Sequence, residues 1–260
     1  MGMLLRRVTE HVKTQNWFAV AIDLLIVVIG VYIGIQVSNW NEARIEAKRG
    51  EEFAVRLRAD IQAELRIFDR EIEYYESVYD YALRTVELAD RNDPALANEF
   101  IVSAYNATQY AYTEPVQATF DELVATGNLY LLEDQDLLSA GLFLYRVTVR
   151  LRMSDYVVES AYRQRVRRIL PFDVQQAIRE QCGDVFDEIT GFTIGIRADC
   201  RIEYSEDRIA EAAKILRNDP DMQSDLRYLL SAFGYYISDL RAAKLQVERR
   251  LNGTYDDGSL

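Results

Sequence analysis

The chain has 260 residues, of which 49% are hydrophobic and 28% charged, a composition that excludes wholesale disorder and allows one domain with a sizeable core or two small ones. Lys and Arg number 30 against 42 Asp and Glu, a net charge of −12, yet residues 1–49 carry six basic and four acidic residues, so all of the acid excess lies beyond them. An acidic domain repels phosphate backbones and anionic headgroups, which argues against nucleic acid as a partner and predicts a domain standing clear of any lipid surface.

Trp17 to Val37 reads WFAVAIDLLIVVIGVYIGIQV, 21 residues with Asp23 as the one charge. At helical rise this covers roughly 30 Å, the thickness of a bilayer's hydrocarbon core. The two tryptophans of the chain, Trp17 and Trp40, bracket it and are expected to anchor at the two headgroup layers. A cleaved signal peptide is the rival reading. Its apolar region is shorter and ends in a small-residue cleavage site, which Gln36 to Trp40 do not offer. The expected organisation is a cytoplasmic tail at 1–16, a transmembrane helix at 17–37 and an acidic extracytoplasmic domain at 38–260.

Orientation is a tie by flanking charge: Arg6, Arg7 and Lys13 on one side face Arg44, Lys48 and Arg49 on the other. The two cysteines, Cys182 and Cys200, lie in a segment rich in Gly and Asp. They are either a disulfide, which implies an oxidising compartment, or two unrelated thiols. The disulfide reading puts the N-terminus in the cytoplasm and the domain in the periplasm, with the span in a bacterial inner membrane. Within the span, Gly30, Gly34 and Ser38 recur every fourth residue, and Asp23 falls on nearly the same face. Such a face predicts a homo-oligomer or a partner membrane protein packed against it, unless the glycines are simply the common content of such helices.

The run from Ile29 through Gln36, Asn39, Trp40, Asn41 and Glu42 resembles a family of uncharacterised bacterial single-span membrane proteins. In that family an apolar helix ends in a Q-x-x-N-W-N-E motif. A second stretch, Thr119–Leu129, looks like the family's downstream helix that ends in a Ser-Gly-Asn-like turn. Gly34 and Ser38 depart from the family's usual Ala and Asn. The resemblance implies a bacterial membrane-anchored protein and no particular activity. Asn39, Asn41 and Glu42 suit a membrane exit, either as interface anchors or as a partner-binding motif.

Beyond the span, Phe53, Leu57, Ile61, Leu65, Phe68, Ile72, Tyr75, Tyr79, Ala82 and Val86 recur at spacings of three and four. They predict an amphipathic helix running on from the membrane and stopped at Asn92-Asp93-Pro94. A short helix follows Pro94, then a Tyr-rich connection. Pro115 is expected to open a helix that Gly127 ends. Asp134 or Asp136 caps a long helix reaching Leu170, with Leu137, Leu138, Leu144, Tyr145, Thr148, Leu151, Tyr156 and Val157 turned inward. Alternation in Phe192–Ile196 and Cys200–Tyr204 predicts a small β-hairpin at 192–204. Ser205 caps a helix to Arg217, and Asp219-Pro220 opens the last, closed by Gly253. The fold class expected is mainly α, with the transmembrane helix continuing into an antiparallel bundle.

The one histidine, His11, precedes the span, so the large domain lacks the residues for a serine or cysteine triad and for a His-based metal site. No phosphate-binding or dinucleotide glycine pattern occurs, and no cofactor is expected. Arg163, Arg165, Arg167 and Arg168 form a basic cluster at a helix C-terminus. It either complements the helix dipole and the acid excess or makes an anion or acidic-partner site. The 17 tyrosines, Tyr74-Tyr75 and Tyr235-Tyr236 among them, either line a cleft or pack a core. The leading expectation is a non-enzymatic, membrane-anchored interaction or scaffold protein. A ligand-binding sensor subunit signalling through a partner is the runner-up.

Overall fold

The computed structural model describes residues 17–146, 155–188, 191 and 193–255. It is mainly α, with a single small two-stranded antiparallel sheet among the described residues. The first helix, α1, runs from Trp17 to Ala89. The chain divides into two units between Glu52 and Phe53.

In the first unit the described residues 17–52 are one helical run. The large apolar side chains of the stretch 18–37 are exposed, because they occupy every side of the helix and leave no single face to bury. The helix is long and apolar enough to cross a membrane.

In the second unit, residues Phe53, Leu57, Ile61, Glu64, Phe68, Glu71, Tyr75, Val78, Ala82, Thr85 and Ala89 of α1 are buried. Their spacings of three and four place them on one stripe. The apolar pattern alone predicts Leu65, Ile72, Tyr79 and Val86 in that stripe, but these are partly buried or, for Val86, exposed. The residues one position earlier, Glu64, Glu71, Val78 and Thr85, took the inner places, and two of the polar ones have a bond that satisfies them there. Glu64 accepts from the Val116 amide, and Thr85 donates to the Tyr81 carbonyl at 2.7 Å.

Asp93 caps a 3₁₀ turn at Pro94–Leu96, from which α2 (Ala97–Asn106) continues. The connection 107–117 is pinned by buried polar groups. Tyr75 Oη donates to the Ala111 carbonyl at 3.0 Å, and Tyr145 Oη to that of Val116 at 2.8 Å. Pro115 lies in this connection and does not open a helix: α3 spans Ala118–Ala125 with Gln117 before it. Gly127, at φ 69°, makes the left-handed turn that a side chain would resist.

The helix expected from Asp134 to Leu170 is not continuous. Asp134 does accept from the Leu137 amide at 2.9 Å, starting α4 (Gln135–Arg146). Ser160, in extended conformation, then caps a separate helix, α5 (Ala161–Ile169), by accepting from the Arg163 amide. A hydroxyl that satisfies a free amide makes a new start competitive with continuation. Leu137, Leu144 and Val157 are buried, and Leu138, Tyr145 and Tyr156 partly so. Thr148 and Leu151 lie outside the described residues.

Helix α6 (Phe172–Cys182) leads into β1 (Asp184–Phe186), which pairs antiparallel with β2 (Thr193–Ile196) through Asp184↔Ile196. The hairpin is therefore 184–196 and not 192–204. In 200–204 the alternation serves anchoring. Ile202 alone is buried, its backbone held on both sides by the Asn98 amide at 2.8 and 3.1 Å. Phe192 lies outside the described residues. Ser205 caps α7 (Glu206–Arg217), and α8 (Met222–Leu251) closes the unit with Gly253 in left-handed conformation.

Helix α8 crosses the domain part of α1 in the opposite direction. Gln223 bonds Asp90 at 2.9 Å, Tyr236 meets Tyr75 edge-on, and Lys244 bonds Asp69 at 2.6 Å. As numbers rise on one helix they fall on the other, the signature of an antiparallel bundle. Phe233, Leu240 and Val247 of α8 complete the core with Leu57, Tyr75 and Val78 of α1.

Candidate functional site

A cleft of about 470 Å³ opens in the second unit between α1, α2 and the segment leaving β2. Ser77, Asp80, Tyr81 and Arg84 supply the first wall. Their spacing of three, four and seven puts them on one helical face. Glu99, Val102 and Ser103 of α2 supply the second by the same spacing. The third wall is Ile196 with Ala198, Asp199, Cys200 and Arg201.

That third wall has no regular structure beyond Ile196, yet it is fastened along its length. Cys182, the last residue of α6, and Cys200 stand at disulfide distance, 2.00 Å between sulfurs. The Tyr81 hydroxyl donates to the Arg197 carbonyl. Arg197 donates to the Gln181 carbonyl at 2.6 Å, and the Glu203 amide to Gln181 Oε1 at 2.7 Å. Asp199 sits at φ 47°, a left-handed conformation that Asp and Asn accept more readily than bulkier residues.

The charges of the cleft sort into paired and unpaired. Arg84 Nε meets Glu99 at 2.6 Å and its Nη1 meets Glu87 at 2.8 Å. These hydrogen bonds, Glu99 first, raise the guanidinium pKa further. Asp80 and Asp199 have no cationic partner among the described residues. Burial raises the Tyr81 phenol, the Asn106 amide lowers it, and Asp199 adds a smaller upward push. Asn106 follows Ser103 by three residues, just under one turn, on the same side of α2 and is fully buried. Its Nδ2 donates to the Cys182 carbonyl at 2.9 Å, which fixes which end of the amide is oxygen. That Oδ1 accepts from no described residue.

The structure does not gather the four arginines of the basic cluster into one patch. Arg165 is ringed by Asp225 at 2.7 Å, Asp219 at 3.1 Å and Asp221 at 3.3 Å. Arg163 donates to the Thr108 carbonyl and lies over the Tyr110 ring. Arg167 bonds Thr108 Oγ1 at 2.7 Å and Gln109 Oε1 at 3.0 Å, and stacks 3.5 Å from the Tyr105 ring centre. Burial pulls its pKa down to about 10, so it remains a cation at neutral pH. Arg168 alone is exposed, bonded to Gln164. Two of these arginines hold the turn after α2, and a third ties α5 to the start of α8.

Of the tyrosine pairs, Tyr74, Tyr75 and Tyr236 are buried in the core and Tyr235 faces out. Tyr74 donates to Asp184 at 2.9 Å, and burial raises the pKa of both. None of the four lines the cleft; Tyr81 does. Nothing in the spacing of Asp80, Glu99 and Asp199 marks them as neighbours, since three separate segments bring them together. A sequence signal existed only for the pairing of Cys182 with Cys200.

In the first unit, a Cβ placed on Gly30 or Gly34 meets nothing within 4 Å, and Asp23 and Ser38 are exposed with them. Trp40 is 69% exposed, as are Asn39, Asn41 and Glu42. The described residues contain no group of three or more His, Cys, Asp or Glu placed to hold a metal ion. No protein-family model matches the chain, and no curated protein or solved structure is detectably similar to it.

Proposed function

We propose that the chain is a single-pass membrane protein of the bacterial inner membrane, anchored through residues 17–37. Its periplasmic domain recognises a small ligand without transforming it. The observation that carries this reading is the 470 Å³ cleft, a volume in the range of small-molecule sites. Its walls come from three chain segments, one of them held by the cysteine pair. The cysteine pair also favours an oxidising compartment for the domain. The cleft therefore moves the ligand-binding reading ahead of the scaffold reading.

The test is purification of the full-length chain from native membranes in mild detergent, followed by a thermal-shift screen of small metabolites. The expected result is a compound that raises the melting temperature. Its effect is lost when Ala198, an exposed wall residue, is replaced by Trp to fill the cleft. A screen without such a compound, together with a protein recovered stoichiometrically, returns the scaffold reading to first place.

One observation favours a second, compatible role. The open backbone at Gly30 and Gly34 permits a neighbouring helix to approach closely, and Asp23 on that side gains from a partner that shields it from lipid. Association of two copies, or of this chain with a signalling subunit, would then carry the domain's state across the membrane. Gly30→Ile with Gly34→Ile is expected to abolish cross-linking in membranes while leaving the domain's melting temperature unchanged. Unaltered cross-linking removes this role.

A further inference from the structure

The walls of the cleft carry unmatched charge of both signs. We infer that its ligand is a small zwitterion with an apolar body, the class to which apolar α-amino acids and their dipeptides belong. The inference rests on the reading of the cleft as a ligand site and adds the class of ligand.

Arg201 and Ser103 supply the end that meets a carboxylate. Arg201 lines the cleft, has no carboxylate partner among the described residues and makes one long bond, 3.4 Å to the Ala95 carbonyl. Its neighbours on both sides are fastened. Cys200 is tied to Cys182, and Ile202 is buried with its backbone held on both sides by the Asn98 amide. The backbone that carries the unmatched guanidinium is thus fixed in place. Its planar fork of donors matches the geometry of a carboxylate.

Ser103, on the α2 wall, is 2% exposed and lines the same cleft. Its hydroxyl bonds to no residue among the described ones, yet it is not among the polar atoms sealed from the surface. A serine within a helix can satisfy its hydroxyl on the carbonyl one turn earlier, as Ser77 on the α1 wall does with Glu73 at 3.0 Å. Ser103 does not. A buried residue whose small remaining surface includes an unbonded hydroxyl presents that hydroxyl to the cavity, where it can donate to a second carboxylate oxygen.

Asp80 and Asp199 supply the opposite sign. Both line the cleft, and neither has a cationic partner among the described residues. Arg84 and Glu99 match each other at 2.6 Å, so the unmatched charges of the walls are those of Arg201, Asp80 and Asp199. A ligand bearing only a carboxylate would meet two acids, and one bearing only an ammonium would leave Arg201 and Ser103 unused. A zwitterion answers both sets. Val102, Ile196 and Ala198 line the same space and offer contact to a short hydrocarbon body.

The experiment uses the full-length chain in nanodiscs and isothermal calorimetry with leucine, leucylleucine, leucine methyl ester and N-acetyl-leucine. Leucine or leucylleucine is expected to bind at least about tenfold more tightly than the ester, which lacks the carboxylate, and than the N-acetyl form, which lacks the ammonium. Arg201→Gln is expected to weaken the zwitterion about tenfold to a hundredfold, the loss typical of a charge-assisted bond, and to leave the ester unchanged. Ser103→Ala acts in the same direction with a smaller loss, about threefold to tenfold. Asp80→Asn combined with Asp199→Asn weakens the zwitterion and the ester and does not weaken N-acetyl-leucine. The side chains of Arg201, Asp80 and Asp199 are exposed, and Asn keeps the left-handed backbone at 199, so the melting temperature is unchanged in these variants. Arg227→Gln, on the exposed face of α8, is the control and leaves affinity unchanged.

An ester that binds as tightly as leucine and ignores Arg201→Gln overturns the carboxylate end. N-acetyl-leucine binding as tightly as leucine overturns the ammonium end. In both cases loss of that binding in Ala198→Trp keeps the cleft as a ligand site. Should none of the four bind, a zwitterion found by the thermal screen supports the proposal, and a compound of another class overturns it while keeping the cleft. No binding by any probe, with no compound from the screen, overturns the cleft reading itself.

Discussion

Residues 18–37 and 53–89 belong to the same helix and share its geometry, yet their apolar side chains meet opposite surroundings. Leu24 is 63% exposed and Ile26 61%, whereas Leu57, Ile61, Val78 and Ala82 are at 0%. Apolar content does not separate them. In the first stretch apolar residues fall on all sides, so no single protein face could cover them. In the second they fall on one stripe, which α8 and the connection 107–117 cover. A continuous apolar surface asks for an apolar solvent, and a striped one asks for a partner element.

The contrast can be broken most severely at Phe233. It is fully buried against Tyr75, and Phe233→Ala is expected to cost the domain about 3–5 kcal/mol. Ile26→Ala removes a comparable apolar group from the span and is expected to leave the domain's unfolding untouched. Equal effects in chemical denaturation of the full-length protein would mean that the two stretches are not governed by different solvents.

Next in size is the cysteine pair. Replacing Cys182 and Cys200 by Ser opens a loop of 18 residues' separation and is expected to cost about 3 kcal/mol in the chain-entropy model. The same loss should appear in wild type treated with reductant, and nothing in the span should respond.

The effect of pH is absent at neutrality, begins only above about pH 10, and is confined to the striped stretch and its partners. Burial raises the phenol of Tyr162, which is fully covered, above its ordinary value, and Tyr74 and Tyr75 shift likewise for the same first cause. A group whose pKa is higher folded than unfolded stabilises the fold fully below the unfolded value. That contribution is lost as pH climbs from about 10, by about 1.4 kcal/mol per tyrosine per pH unit. Tyrosinate absorbance of these residues is thus expected to rise together with the loss of helical circular dichroism, and not before it.

Much of the fold was legible because periodicity and capping are local. Phe53, Leu57 and Ile61 marked the inner stripe, Ser205 the start of α7 and Gly253 the end of α8. The misplacements have a common cause in polar side chains that find a bonding partner where the apolar pattern leaves no room for one. Glu64 and Thr85 displaced apolar neighbours because each bonds inside the unit, and Ser160 broke a helix by offering its hydroxyl to a free amide. The alternation at 200–204 looked like a strand because Ile202 alone turns inward, held by Asn98 more than a hundred residues earlier in the chain. The cleft was not legible at all. Asp80 and Asp199 read as ordinary solvated acids, and only the fold, with Cys200 tied to Cys182, puts both on the walls of one cleft.

That tether sets an order of events. Without the bond between Cys182 and Cys200, the segment bearing Asp199 would be held by its hydrogen bonds to Gln181, Tyr81, Ala95 and Asn98. On the proposed periplasmic placement, the third wall of the cleft would be completed last, by an oxidation outside the cytoplasm. Under that proposal a ligand on the cytoplasmic side would meet an unfinished cleft, and export itself would act as the checkpoint for competence.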